Sequence, residues 1–276
     1  MSNINAADVA KLRRMTGAGM MDCKKALEEA GGDFEKAQEI IRKRGQAIAN
    51  KRADREASEG VVLAKVSADG KTGMMIALNC ETDFVAKNAD FVALGNSILD
   101  HALSVKPVDL EALKNSTLGD KKVSDLVLEK SGITGEKFEL SYFEKIDAPK
   151  VQAYIHAGNK LATLVGFSKP GYDAQVYKDV AMQVAAMNPV SVDKDDVPAR
   201  ILEQELEIGR EQARREGKPE EMIEKIAQGK LNKFFKESTL MNQEFVKDNK
   251  MTIAQYLQKS DKELKATGFL RYTLNV

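Results

Sequence analysis

Tryptophan is absent from this sequence, and histidine and cysteine occur only twice each, so whole classes of chemistry are short of the residues they need. His101 and His156 cannot supply a three-histidine metal site, and His101 lies in a helical stretch where a surface or satisfied role is the plain reading. Cys23 and Cys80 are far apart and form no CxxC pair. Spacing therefore builds neither a zinc site nor a redox pair, and two buried thiols in a reducing cytosol are expected. Net charge is also missing: 42 Lys and Arg balance 42 Asp and Glu, so no chain-wide field pulls the molecule toward nucleic acid or an anionic membrane. The partner expected on these grounds is a protein or a small molecule. The first ten residues carry no basic patch followed by an apolar core, and no apolar run approaches the roughly 20 residues that span a bilayer, so a soluble, cytosolic chain is expected. There is no GxxxxGK[ST] loop and no GxGxxG after a strand, hence no nucleotide cradle and no call for a cofactor. No carboxylate pair stands out among the acids, which points away from an enzyme.

What is present is a chain of 276 residues, long enough for two or more compact units. Val9, Leu12 and Met15 recur at helical spacing before Gly17, and Cys23, Ala26, Leu27 and Ala30 form a second apolar stripe ended by Gly31-Gly32. Asp33 is placed to cap a third helix with Phe34, Ala37, Ile40 and Ile41 inside, and Gly45 is placed to stop it. Residues 1–45 thus read as a three-helix module, of a size that usually binds rather than catalyses, and 46–59 as a charged, solvated helical linker. Val61, Leu63 and Val66, the turn Ala68-Asp69-Gly70-Lys71 and Met74 to Leu78 form a hairpin, followed by a helix from near Ala89 to Pro107. The same order returns in Val151 to Ile155, Leu161 to Phe167 and Val176 to Met187, which suggests an internal duplication. The fold class predicted is α+β, with a two-lobed core: residues 60–145 as the first lobe, and 146–196 with 238–276 as the second. Residues 197–237 read as an inserted antiparallel helical hairpin about Gly217-Lys218-Pro219, rich enough in charge to project as a short coiled coil, with self-association through it left open. Gly268 to Leu274 alternates and is predicted to return as a strand to the second lobe.

One segment, Thr82-Asp83-Phe84-Val85-Ala86-Lys87-Asn88, sits between the first lobe's second strand and its helix. Either Thr82 or Asp83 caps a helix and Phe84 is core, or Phe84 is an exposed apolar wedge made rigid by the cap, as aromatic anchors at interfaces are. The sequence leaves both readings open.

The segment from Thr16 to Leu27, Thr-Gly-Ala-Gly-Met-Met-Asp-Cys-Lys-Lys-Ala-Leu, closely resembles the N-terminal signature of the elongation factor Ts family, and Glu81 to Asn88 resembles its second signature. The resemblance extends over essentially the whole chain. It implies that the three helices form a ubiquitin-associated-like module and that the protein is a non-enzymatic guanine-nucleotide exchange factor. Its partner would be elongation factor Tu, in GDP-bound and nucleotide-free states. In that family the Thr-Asp-Phe-Val segment enters between two helices of the partner's GTPase domain and disturbs its magnesium site, a role that falls here on Thr82, Asp83, Phe84 and Val85. Thr134, Gly135 and His156 match positions expected to touch the partner beside the wedge. Arg13, Met20 and Met21 match positions that hold a helix of the GTPase domain, with packing between helices as the other reading for the two methionines. This sequence stops at Val276 where many family members run on into a further helix, and residues 158–163 depart from the commoner glycine-rich turn. The alternative function is a scaffold or adaptor built on the N-terminal module.

Overall fold

The computed structural model describes residues 4–274, so the ends of the first and last expected segments, residues 1–3 and 275–276, lie outside the described residues. Three helices open the chain: α1 (Ala6–Thr16), α2 (Met20–Glu29) and α3 (Phe34–Lys51). The Asn5 side chain accepts the Asp8 N–H at 2.8 Å to start α1, and Asp33 accepts the N–H groups of Glu35 and Lys36 to start α3, satisfying donors a helix start leaves orphaned. Gly17, at φ 74°, ends α1 in the left-handed conformation that costs glycine nothing. Leu12, Cys23, Ala26, Leu27, Ala37 and Ile41 close over one another as a small core.

Next come β1 (Glu59–Val66), β2 (Thr72–Cys80), the single turn α4 (Asp83–Ala86), α5 (Ala89–Val105), α6 (Leu110–Asn115), the short strands β3 (Thr117–Leu118) and β4 (Lys121–Lys122), α7 (Val123–Thr134) and β5 (Glu139–Asp147). β1, β2 and β5 form an antiparallel sheet in that order. α6, α7 and β5 carry no strong periodicity, and the sequence reading passes over them. Val61, Leu63, Met74, Ile76 and Leu78 pack under α5, through Phe91, Ile98 and Leu99. Val62, Ala64, Met75 and Ala77 point the other way into a second core, which is why β1 and β2 read as nearly unbroken apolar runs rather than as alternating ones.

The placement of α7 corrects the expectation for Gly45. The glycine does not stop α3, which runs unbroken to Lys51, so that residues 46–51 of the expected linker continue the same helix and Ala49 is buried. Gly45 is itself buried against Gly132 of α7, where a Cβ on Gly132 would overlap the Gly45 backbone and one on Gly45 would stand 3.4 Å from the Gly132 Cα. The glycine that the crossing requires is Gly132, whose missing side chain admits the Gly45 backbone.

The rest of the chain holds β6 (Lys150–Ile155), β7 (Leu161–Phe167), α8 (Ala174–Met187), α9 (Ala199–Arg215), α10 (Glu220–Ser238), the short strands β8 (Glu244–Phe245) and β9 (Asp248–Thr252), α11 (Ile253–Gln258) and β10 (Ala266–Thr273). β10, β7 and β6 form the second antiparallel sheet, so the closing segment does return as a strand, and its partner is β7. Val151, Ala162 and Leu164 meet the inner face of the first sheet, while Val165 and Phe167 pack outward on Tyr177, Val180 and Val184 of α8. The layers therefore run helix, sheet, sheet, helix. α9 and α10 lie side by side in opposite directions, since Gly209 sits against Ala227, Arg210 Nε meets Glu224 at 2.8 Å and Arg214 meets Glu220 at 3.4 Å. The two ends of this excursion are joined by the Val190 N–H on the Ser238 carbonyl, 2.8 Å, and the Leu240 N–H on the Ser191 carbonyl, 3.0 Å. No helix among the described residues is long and apolar enough to cross a membrane.

Asp179 of α8 is a buried carboxylate that accepts from Lys247 Nζ at 2.7 Å, Tyr256 Oη at 2.8 Å and Gln175 Nε2 at 2.6 Å. Burial opposes its charge, but the three donors outweigh burial and hold the carboxyl below its ordinary value. Two stability predictions follow from these contacts. Gly132→Ala is expected to cost about 1–3 kcal/mol in urea unfolding, from forced overlap, whereas Gly45→Ala is near neutral because its Cβ has room and a helical glycine is replaced. Asp179→Asn is expected to cost roughly 1.5–3 kcal/mol at neutral pH. Because the folded value is depressed, the wild-type advantage is complete above about pH 4 and shrinks as pH falls through the folded value, which urea titrations of both proteins at a series of pH values will show.

Candidate functional site

Strand β2 ends at the buried Cys80, and the chain then turns through Glu81 and Thr82 into the single helical turn α4. Thr82, in extended conformation, is the N-cap, and its Oγ1 accepts the Val85 N–H at 3.4 Å. Ala86 is buried and Val85 half-buried against the first core. That leaves Phe84 pointing away, 83% exposed, so the reading of Phe84 as a core residue is overturned. Asp83 receives Lys87 Nζ at 2.7 Å along the turn, and this bond, with a contribution from Lys160, holds its carboxyl below the ordinary range.

Two carboxylates from opposite sides of a gap in sequence tie this turn down. Glu136 accepts the Thr82 N–H at 3.1 Å on one oxygen and the Thr82 hydroxyl at 2.7 Å on the other. In return Glu81 accepts the Lys137 N–H at 2.7 Å, and its charge is met by Arg52 Nη1 at 2.8 and 2.9 Å and by Arg55 at 3.3 Å. Burial raises the Glu81 pKa, but the Lys137 amide and the two guanidinium groups outweigh it and the net direction is down. The Cys80 thiol donates to the Thr82 carbonyl at 3.2 Å and is pushed up to about 12, first by burial and then by the nearby Glu136 charge. It is therefore a packed, inert thiol.

Thr134 and Gly135 close α7, with Gly135 at φ 75°, and directly precede Glu136, so the structure brings them beside Thr82. His156 is exposed in the turn between β6 and β7, with Tyr154 Oη 3.0 Å from its Nδ1. The Val62 N–H binds the Asn159 carbonyl at 2.6 Å and Lys160 meets Glu59 at 2.9 Å, which docks that turn on β1. Glu59 stands opposite Cys80 in the β1–β2 register, so the turn lies at the end of β2 from which the Phe84 segment starts. On the N-terminal helices Arg13 is exposed, as are Met20 and Met21, at 44% and 63%, so the reading of both methionines as packing between helices is not met. Gly17, in the loop between α1 and α2, lies against Ile133, the residue before Thr134.

The sequence reading missed Glu136, the bond from Glu81 and the part played by Arg52. Arg52 and Arg55 fall within the charged stretch read as a linker, and nothing local distinguishes Glu136 from other acids. Glu81 alone had a signal, as the first residue of the second signature. Among the described residues no group of three His, Cys, Asp or Glu side chains could hold a metal ion.

The turn thus presents one exposed aromatic ring on a backbone held by caps and ion pairs. A family profile described as "Elongation factor TS" matches residues 81–275, starting at the first residue of that turn, and places the chain among the translation elongation factors. More particularly, the chain belongs to the elongation factor Ts family. It is 52% identical over 273 residues to the elongation factor Ts of Porphyromonas gingivalis, covering 99% of this chain and 98% of that one. It is 54% identical over 270 residues to that of Amoebophilus asiaticus, covering 97% and 98%, and 50% identical over 278 residues to that of Cytophaga hutchinsonii, covering both chains in full (100% each). The relatives thus extend the likeness through the first 80 residues, which the profile does not reach, and bear out the resemblance read from the two signatures.

Because the Phe84 ring makes no core contact, Phe84→Ala is expected to leave the unfolding free energy within about 0.5 kcal/mol of wild type. Ala86→Asp, which places an unpaired charge in the core, should cost several-fold more; thermal or urea unfolding of the two variants side by side checks this.

Proposed function

We propose that the protein is the guanine-nucleotide exchange factor of elongation factor Tu, and that Phe84 is its wedge. The observation that carries this reading is the exposure of Phe84 on a turn whose every other residue is capped, paired or packed. A large apolar ring on a backbone turn that is already fixed costs little backbone entropy on binding, which is what an interface anchor requires. Thr82, Asp83, Phe84 and Val85 enter between two helices of the GTPase domain and disturb its magnesium site. The metal there neutralises the nucleotide phosphates, so disturbing it leaves like charge uncompensated and weakens GDP binding with no bond made or broken. Linkage makes the weakening mutual. Whatever free energy the factor removes from GDP binding, the nucleotide removes from factor binding, so GTP entry releases the factor and exchange turns over.

Thr134, Gly135 and His156 touch the partner beside the wedge, the latter from the turn docked on β1. Arg13, Met20 and Met21 hold a helix of the GTPase domain from the ubiquitin-associated-like module; exposed, unbranched methionines adapt to such a surface. The helical hairpin of α9 and α10 projects as a short coiled coil, and the whole acts in the cytoplasm beside elongation factor Tu.

The test is stopped-flow release of fluorescent GDP from elongation factor Tu at fixed magnesium. The wild-type chain is expected to accelerate release, and Phe84→Ala to lose about tenfold or more of that acceleration, as truncation of an interface anchor does. No acceleration by wild type overturns the proposal and leaves a scaffold.

A further inference from the structure

A four-residue helical turn does not hold itself. Isolated helices shorter than about 12 residues are marginal in water, and Phe84, facing solvent, contributes nothing to fixing α4. On its C-terminal side the turn is anchored by Val85 and Ala86 in the core. On its N-terminal side the anchor is Thr82, each of whose polar groups is engaged. Its N–H and hydroxyl both donate to Glu136, its Oγ1 accepts from Val85, and its carbonyl accepts from Ala86 N at 3.1 Å and from the Cys80 thiol at 3.2 Å. Glu136 in turn sits on fixed ground. Phe138 is buried edge-on against Phe91 at 4.8 Å between ring centroids, and Ser131 Oγ accepts the Phe138 N–H at 3.2 Å while donating to the Glu136 carbonyl. The opposite carboxylate, Glu81, reaches back to the Lys137 N–H. Residues 81–82 and 136–137 therefore exchange carboxylates for backbone amides in both directions.

We propose that this reciprocal clasp makes Glu136 a positioning residue for the wedge: by holding Thr82 it fixes the direction in which Phe84 is presented. The functional consequence rests on the exchange reading above. Glu136 suits the task because Thr82 offers two donors at once and a carboxylate is acceptor-only, with two oxygens to receive them. A glutamine fills the same space but has one acceptor oxygen where the two Thr82 donors meet two, so one donor loses its acceptor. Its NH2 group would face either the Thr82 N–H, donor against donor, or the Thr82 hydroxyl, whose proton would then have no carboxylate oxygen to go to.

The test uses the full chain with Glu136→Gln, and Thr82→Val as a second variant of nearly unchanged volume. Hydrogen–deuterium exchange of peptides covering residues 81–87 is compared with stopped-flow GDP release from elongation factor Tu. Loss of a charge-assisted bond predicts that amide exchange of residues 82–86 rises about tenfold in Glu136→Gln, with the unfolding midpoint little changed. The saturating release rate falls by a similar factor while the half-saturating concentration, set by the remaining contacts, moves little. On a Phe84→Ala background Glu136→Gln then adds nothing, because it acts through that ring. Unchanged amide exchange at 82–86, or losses in release that simply add in the double variant, overturn the positioning role. A wild-type chain that accelerates release no better than Glu136→Gln overturns the positioning role alone. A wild-type chain with no effect on release overturns the exchange reading itself.

Discussion

The crossing of α3 on α7, with Gly45 against Gly132, is the constraint on which the arrangement of the rest depends. Two helices usually stand 8–10 Å apart because side chains separate them, and a glycine pair removes that spacer so that backbone meets backbone. Here the close approach seats the three N-terminal helices on the first sheet's domain and lays Gly17 against Ile133. It also brings the end of α3 to the segment after β2, where Arg52 and Arg55 reach Glu81. One steric fact thus sets both where Met20 and Met21 stand and which charges surround the Phe84 turn.

The end of α7 carries this arrangement onward. Gly135 takes the left-handed conformation that ends the helix, Glu136 follows at once, and its carboxylate reaches Thr82. Charge placed here is not a surface ornament. Glu81 is largely shielded from solvent and has both an amide and a guanidinium as partners, so its bonds escape most of the screening that makes exposed ion pairs worth little. The exposed pair of Asp83 and Lys87 is of the weaker kind and serves mainly to keep the turn helical.

The rigidity has a functional logic. Under the proposed exchange role, a flexible loop bearing Phe84 would have to be ordered at the moment of contact, and that cost would be subtracted from the free energy the contact could set against bound nucleotide. Holding the turn in place during folding moves the cost out of the binding step. The four layers of helix and sheet are the support for this. β1 and β2 are buried on both faces, and β2 feeds directly into the turn through Cys80, which is itself packed in the first core.

Much of this was legible in the residues themselves. Caps at Asp33 and in the Thr82 segment, the helical period of α1, α2 and α5, the hairpin of β1 and β2 and the returning β10 are all short-range patterns that the chain writes locally. The two signature segments sufficed to identify the family. Local pattern could not tell whether Phe84 points inward or outward, because the same cap serves both. It misread Gly45 as a stop, since a glycine that ends a helix and one that lets two helices touch look alike until the second helix is in place. It was silent on Glu136, whose partner Thr82 lies 54 residues away, and on the bond that the Lys137 N–H donates to Glu81, which spans 56. Periodicity and capping act within a turn or two of the chain, so the sequence determined the strongly patterned elements and the family, but not α6, α7 and β5, whose local pattern is weak. Which carboxylate meets which amide across a fold depends on helix packing, and only the tertiary structure decided it.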